Sequence, residues 1–122
     1  MSEIKNKLYR KLEVWKQSID FAIDIYKISK KFPKEELFGI SSQLKRAAYS
    51  IPSNIAEGSS RKTKKEFTQY LYIAQGSCSE IETFLELTKR LGWLSDKEKE
   101  NLDKKAINIS KMLTGLIKSL KR

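Results

Sequence analysis

Apolar residues recur along this chain at steps of three and four, the spacing that gathers them on one side of an α-helix. Leu12, Trp15, Ile19, Ala22 and Tyr26 make one such line, and Val14, Phe21, Ile25 and Ile28 make a second. Together they predict a first helix over about 14–31, ended by Phe32-Pro33 because a residue before proline avoids the α region. Ile40, Leu44, Ala47/Ala48, Ile51, Ile55 and Gly58 predict a second helix over about 37–60. Thr63-Lys64-Lys65-Glu66 has the form of a capping box and opens a third. Its stripe runs through Phe67, Tyr70/Leu71, Ala74, Ser77/Cys78, Ile81, Phe84/Leu85, Thr88 and Leu91, with Gly92 as its stop. Ser95-Asp96-Lys97-Glu98 is a second capping box, and Leu102, Ala106, Ile109, Leu113, Leu116 and Leu120 follow it as a heptad seam.

The short connections force antiparallel neighbours, so the expected fold is all-α, an antiparallel up-down four-helix bundle. Residues 12–122 make the bundle and residues 1–11 a basic N-terminal extension. Pro52 interrupts the second stripe. In a regular helix it costs about 3 kcal/mol, so a kink or break is expected there. Ser50, Asn54, Glu57 and Arg61 step by four, three and four beside that stripe. Such a line favours a polar network, within or between subunits, over a ligand site. Gly76 costs about 1 kcal/mol relative to alanine in mid-helix, and with Ser77 it offers a small patch where another helix can approach. Glu66, Ile73, Glu80 and Leu87 repeat every seven residues as a second line on the third helix. Second lines on the first and third helices imply more neighbours than one bundle supplies.

Composition excludes several classes. Hydrophobic residues are 39% of 122, with five glycines and two prolines, too apolar for disorder and too poor in turn residues for an all-β protein. No apolar run approaches the ~18 residues of a membrane span. The N-terminal residues lack the apolar core of a signal peptide, and one cysteine excludes an internal disulfide, so a cytoplasmic location is expected. The formal charge is +10, distributed as +4 over residues 1–35, +2 over 36–62, 0 over 63–92 and +4 over 93–122. A basic excess of this size attracts polyanions, nucleic acid foremost, although a solvated basic face accounts for dispersed lysine equally well.

The chain has no histidine, which removes the usual general base and the commonest metal ligand. No glycine loop has phosphate-cradling spacing. Cys78 lies on an apolar line, where a buried structural thiol is expected rather than a reactive one. Asp20 and Asp24 are spaced to hold a cation, but Lys16 and Lys27 flank them and ordinary helix ion pairs are the simpler expectation. No catalytic residue, metal site or cofactor is assigned.

Ser50-Ile51-Pro52-Ser53-Asn54-Ile55-Ala56-Glu57-Gly58, then Arg61, Glu66-Phe67, Ile73-Ala74-Gln75-Gly76-Ser77 and Glu80, strongly resemble the 23S ribosomal RNA intervening-sequence protein family. Val14-Trp15, Phe32-Pro33, Phe38-Gly39 and Gln43-x-x-Arg46-Ala47-Ala48 extend the resemblance over roughly 12–120. It implies a bacterial four-helix-bundle protein that assembles into a ring-shaped homo-oligomer, typically a pentamer. Pro52, Asn54, Glu57, Gly58, Glu66, Phe67, Gly76, Ser77 and Glu80 then form its structural and assembly motif. The chain is also similar to the accessory subunit of diversity-generating retroelements, a basic ring that engages a reverse transcriptase and nucleic acid. The resemblance brings no catalytic residues.

Candidate nucleic-acid contacts are Arg46, then Arg61, Lys62, Lys64 and Lys65 at the junction of the second and third helices, where a helix N-terminus assists phosphate binding. Lys104, Lys105 and Lys111, with Lys118, Lys121 and Arg122 beyond them, form a second group. The expected protein is a non-enzymatic, ring-forming binder of nucleic acid, RNA favoured. The alternative is a scaffold that docks a partner enzyme such as a reverse transcriptase.

Overall fold

The structure, a computed structural model, describes residues 7–36 and 39–122. Residues 1–6 of the extension, Leu37 (where the second helix is predicted to start) and Phe38 lie outside the described residues. Four long helices carry the chain: α1 (Glu13–Ser29), α2 (Ile40–Ser59), α3 (Lys64–Arg90) and α4 (Asp96–Leu120). Short 3-10 turns at Leu8–Lys11 and Lys34–Glu36 precede α1 and α2. There is no strand among the described residues.

α1 packs on α2 and α4, and α3 on α2 and α4, closing a four-cornered bundle. Its antiparallel sense shows in the cross-helix partners. Asp24 meets Lys105 and Gln17 meets Asn108 between α1 and α4, and Ser50 meets Ser77 and Arg61 meets Tyr70 between α2 and α3. The core includes Phe21, Ile25, Leu44, Ile51, Ile55, Leu71, Ile81, Leu85, Ile109 and Leu113, all essentially without solvent contact. Each such side chain contributes about 1.5–3 kcal/mol by leaving water.

Local chemistry sets the helix ends. Ser95 makes a complete capping box with Glu98, the serine hydroxyl accepting from the Glu98 N–H at 3.1 Å and the Glu98 carboxylate from the Ser95 N–H at 2.9 Å. Thr63 caps α3 less fully. Its hydroxyl accepts from the Glu66 N–H, but the Glu66 carboxylate accepts a hydrogen bond from the threonine hydroxyl rather than from the Thr63 N–H. Gly92 stops α3 at φ +83°, with Gly92 N–H bonded to Lys89 O and Trp93 N–H to Thr88 O. That pair of bonds is the Schellman arrangement, and its left-handed residue suits glycine.

Several expectations change. On α1 the second line is mostly the buried one: Val14, Phe21 and Ile25 face the core and Ile28 is half-buried, joined by Ala22 of the first line and by Ser18 and Ser29, while Trp15 and Ile19 flank it and Tyr26 is exposed. The serines tolerate burial because their hydroxyls bond helix carbonyls, Ser18 to Trp15 O at 2.8 Å and Ser29 to Ile25 O at 2.7 Å. On α4, Ile117 takes the core position rather than Leu116. Pro52 does not break its helix. α2 runs on to Ser59, with Pro52 itself buried between the core residues Ile51 and Ile55. Nor is Gly76 a point of close approach within the protomer, since a Cβ there would meet nothing within 4 Å. The close approach is at Gly58, where a Cβ would stand 2.7 Å from Tyr70 Cβ and 2.9 Å from Phe67 Cδ1.

Candidate nucleic-acid interface

An even number of antiparallel helices returns the chain to the end where it began. The 3-10 turn Leu8–Lys11, the α2–α3 junction and the C-terminus of α4 therefore share one end of the bundle. That end collects Lys7, Arg10 and Lys11, then Arg61, Lys62, Lys64 and Lys65, then Lys118, Lys121 and Arg122. Against these ten cations stand Glu57 and Glu66, so segments 7–11, 57–66 and 118–122 hold a net +8 of the chain's +10. Arg61, Lys62, Lys64 and Lys65 are all exposed, as are Lys118, Lys121 and Arg122. The α2–α3 junction group and the last three cations of the second group, Lys118, Lys121 and Arg122, are thus brought together. The segment preceding the bundle joins them through packing: Tyr9 lies partly buried against the core, edge-on to Trp15 with ring centroids 5.2 Å apart.

The remaining candidates lie elsewhere. Lys104 pairs with Glu100 at 3.4 Å, and Lys105 with Asp24 at 2.6 Å, so Asp24 is held by a lysine of α4 rather than by a neighbour on its own helix. Lys111 is exposed beside the α3–α4 seam, lining a shallow hollow with Glu82, Ser110 and Thr114. Arg46 lines a polar groove of about 450 Å³ between α2 and α3 with Gln43, Ser50, Ser77 and Glu80.

The polar line on α2 closes within the protomer. The Asn54 side-chain amide donates to Ser50 O at 2.8 Å and to Ser50 Oγ at 2.9 Å, and the Ser50 hydroxyl meets that of Ser77 at 2.9 Å. Further along, the Arg61 guanidinium donates to Glu57 and to the Tyr70 hydroxyl, both at 2.6 Å. Gly58 permits this, because its missing side chain lets α3 come close enough for Arg61 to reach Tyr70. Of the other motif residues, Glu66 serves the Thr63 cap, Gly76 is exposed, and Glu80 is exposed at the groove that Arg46 lines.

The Cys78 thiol is buried and pushed up to about 12, by desolvation and then by the nearby Glu82 carboxylate, which leaves it protonated and inert. Among the described residues no group of three His, Cys, Asp or Glu side chains is placed to hold a metal ion, and no helix is long and apolar enough to cross a membrane.

A family model described as 23S rRNA-intervening sequence protein matches residues 10–115. The chain belongs to this family. A solved relative is similar over most of both chains: a protein with unknown function from the S23 ribosomal protein family of Bacteroides thetaiotaomicron VPI-5482. It is 30% identical, the match covers 86% of this chain and 95% of that one, and the TM-score is 0.80. No curated protein matches the chain.

Proposed function

We propose that this family member is a non-enzymatic, self-associating bundle that binds RNA by charge, through the end of the bundle where its chain ends meet the α2–α3 junction. The observation that carries the reading is the concentration of a net +8 into three short segments at that end. Only one ion pair among the described residues, Arg61–Glu57, lies there. Cations without an acidic partner remain available to phosphates, each contact releasing condensed counterions. Filter binding of a structured RNA across a salt series tests the reading. The logarithm of the affinity is expected to fall linearly with the logarithm of salt concentration, and absence of binding at low salt would refute it.

Self-association rests on the outer face of α3. Ile73, Leu87 and Leu91 are 52%, 41% and 48% exposed there, and Gly76 leaves room for a close neighbour. Several exposed large apolar side chains along one helix mark an interaction surface. A ring, a pentamer in keeping with the resemblance, would cover them. Mass measurement at micromolar concentration checks this, and a monomer would contradict it.

A second reading, a scaffold that docks a partner enzyme such as a reverse transcriptase, draws on the exposure of Ile23, Tyr26 and Tyr49 on α1 and α2. A stoichiometric protein partner retained after nuclease treatment would favour it over RNA binding.

A further inference from the structure

Three of the basic end's cations lie over aromatic rings. The Arg61 guanidinium lies 5.0 Å from the centroid of Tyr70, Lys121 Nζ lies 5.7 Å from that of Tyr72, and the Arg10 guanidinium lies 5.2 Å from that of Trp15. Lys121 also donates to the Tyr72 hydroxyl at 3.1 Å. Tyr70 reaches toward the α2–α3 junction and Tyr72 toward the end of α4, so the two rings lie on opposite flanks of α3, with Lys65 and Gln69 exposed nearby. Tyr72 is 48% exposed although its hydroxyl is engaged. Elsewhere among the described residues, cations over rings occur only at Tyr26, which takes Lys30 and Lys45.

A duplex offers phosphates to lysines but keeps its base faces stacked, so rings at the interface would gain nothing from it. An unpaired strand offers both phosphates and base faces, and a ring paired with a cation serves both. We propose that the basic end selects single-stranded RNA, seating phosphates on Arg61, Lys121 and their neighbours and stacking a base on Tyr72, with Tyr70 and Trp15 as further platforms. This rests on the RNA-binding reading and specifies its ligand.

Fluorescence anisotropy with the full chain tests it. The probes are a labelled RNA of about twelve nucleotides without self-complementarity and the same strand annealed to its complement, compared at equal salt. Tighter binding of the single strand is expected. Tyr72→Leu should weaken that binding by about tenfold or more and leave duplex binding within about twofold. The salt slope should not change, because no cation is lost, and Tyr72→Phe should restore the affinity. Thermal denaturation verifies that both variants fold. Duplex bound as tightly as single strand, or Tyr72→Leu weakening both alike, would overturn the proposal while leaving RNA binding in place. Binding of neither RNA at low salt would overturn the RNA reading and this one with it.

Discussion

The two ends of the bundle use charge in opposite ways. At the end where α3 meets α4, acids and bases alternate and pair. Lys31 meets Glu98 at 2.6 Å, Arg90 and Lys99 converge on Glu86 at 2.7 and 3.3 Å, and Lys99 also holds Asp103 at 2.5 Å. These contacts hold the Glu98 carboxylate below its usual range, chiefly through Lys31, and the Glu86 carboxylate likewise, chiefly through Arg90 and then Lys99. Phe32 and Trp93 close the same end, with ring centroids 5.6 Å apart. At the opposite end, ten cations face two acids, aromatic rings lie beneath three of the cations, and of those three only Arg61 also pairs with a carboxylate. One end is neutral within itself and serves the fold. The other leaves its charge for a partner.

The largest effect that breaks this contrast is on binding. Neutralising Lys62, Lys64, Lys65 and Lys121 to Gln should lower RNA affinity by roughly 10²–10³-fold at 0.1 M salt and reduce the salt slope by about 3. Unfolding free energy should stay within about 0.5 kcal/mol. Four matching changes at the paired end, Lys31, Lys89, Arg90 and Lys99 to Gln, should leave the slope unchanged and cost at most about 1–2 kcal/mol. Filter binding and urea unfolding read the two outcomes.

Next in size, Phe32→Ala should destabilise by about 3 kcal/mol or more in urea unfolding, since Phe32 is buried against Trp93. Its effect on RNA binding should be negligible while the protein is folded. The glycines give a smaller, paired test. Gly58→Ala should cost about 1–3 kcal/mol by overpacking against Tyr70 and Phe67, partly offset by helix propensity. Gly76→Ala should stabilise by about 0.5–1 kcal/mol, because its Cβ meets nothing within the protomer. Thermal denaturation distinguishes the two signs.

The smallest effect is on acid stability. Glu98 and Glu86 have folded values lowered from 4.5, so their contribution is complete above the unfolded value and is lost as pH falls through the lowered folded ones. Replacing Lys31 and Arg90 with Gln should flatten that part of the acid-unfolding profile. Neutralising the basic end should not.

The helices were legible in the sequence wherever the signal was local. The Ser95 box and the Gly92 stop follow from residues within one turn of each other. The starts of α1 and α2 were less so, because Leu12 and Gly39 offer no capping side chain. The choice between the two apolar lines of α1 was hidden by Ser18 and Ser29, polar residues at core positions that bond their own helix. The close approach at Gly58, rather than Gly76, depends on where α3 crosses, which no local pattern encodes. The basic end was present in the charge profile as excess at both chain ends. Its unity needed the topology: Arg10 and Lys121 are over a hundred residues apart and become neighbours of the α2–α3 junction only when four helices alternate in direction.

Lysine-reactivity footprinting, with and without saturating RNA, tests the division between the two ends most directly. Protection should fall on Lys62, Lys64, Lys65, Lys118 and Lys121, while Lys31, Lys97 and Lys99 keep their free-protein reactivity. Protection centred on Lys31, Lys97 and Lys99, or spread evenly over both ends, would contradict the account.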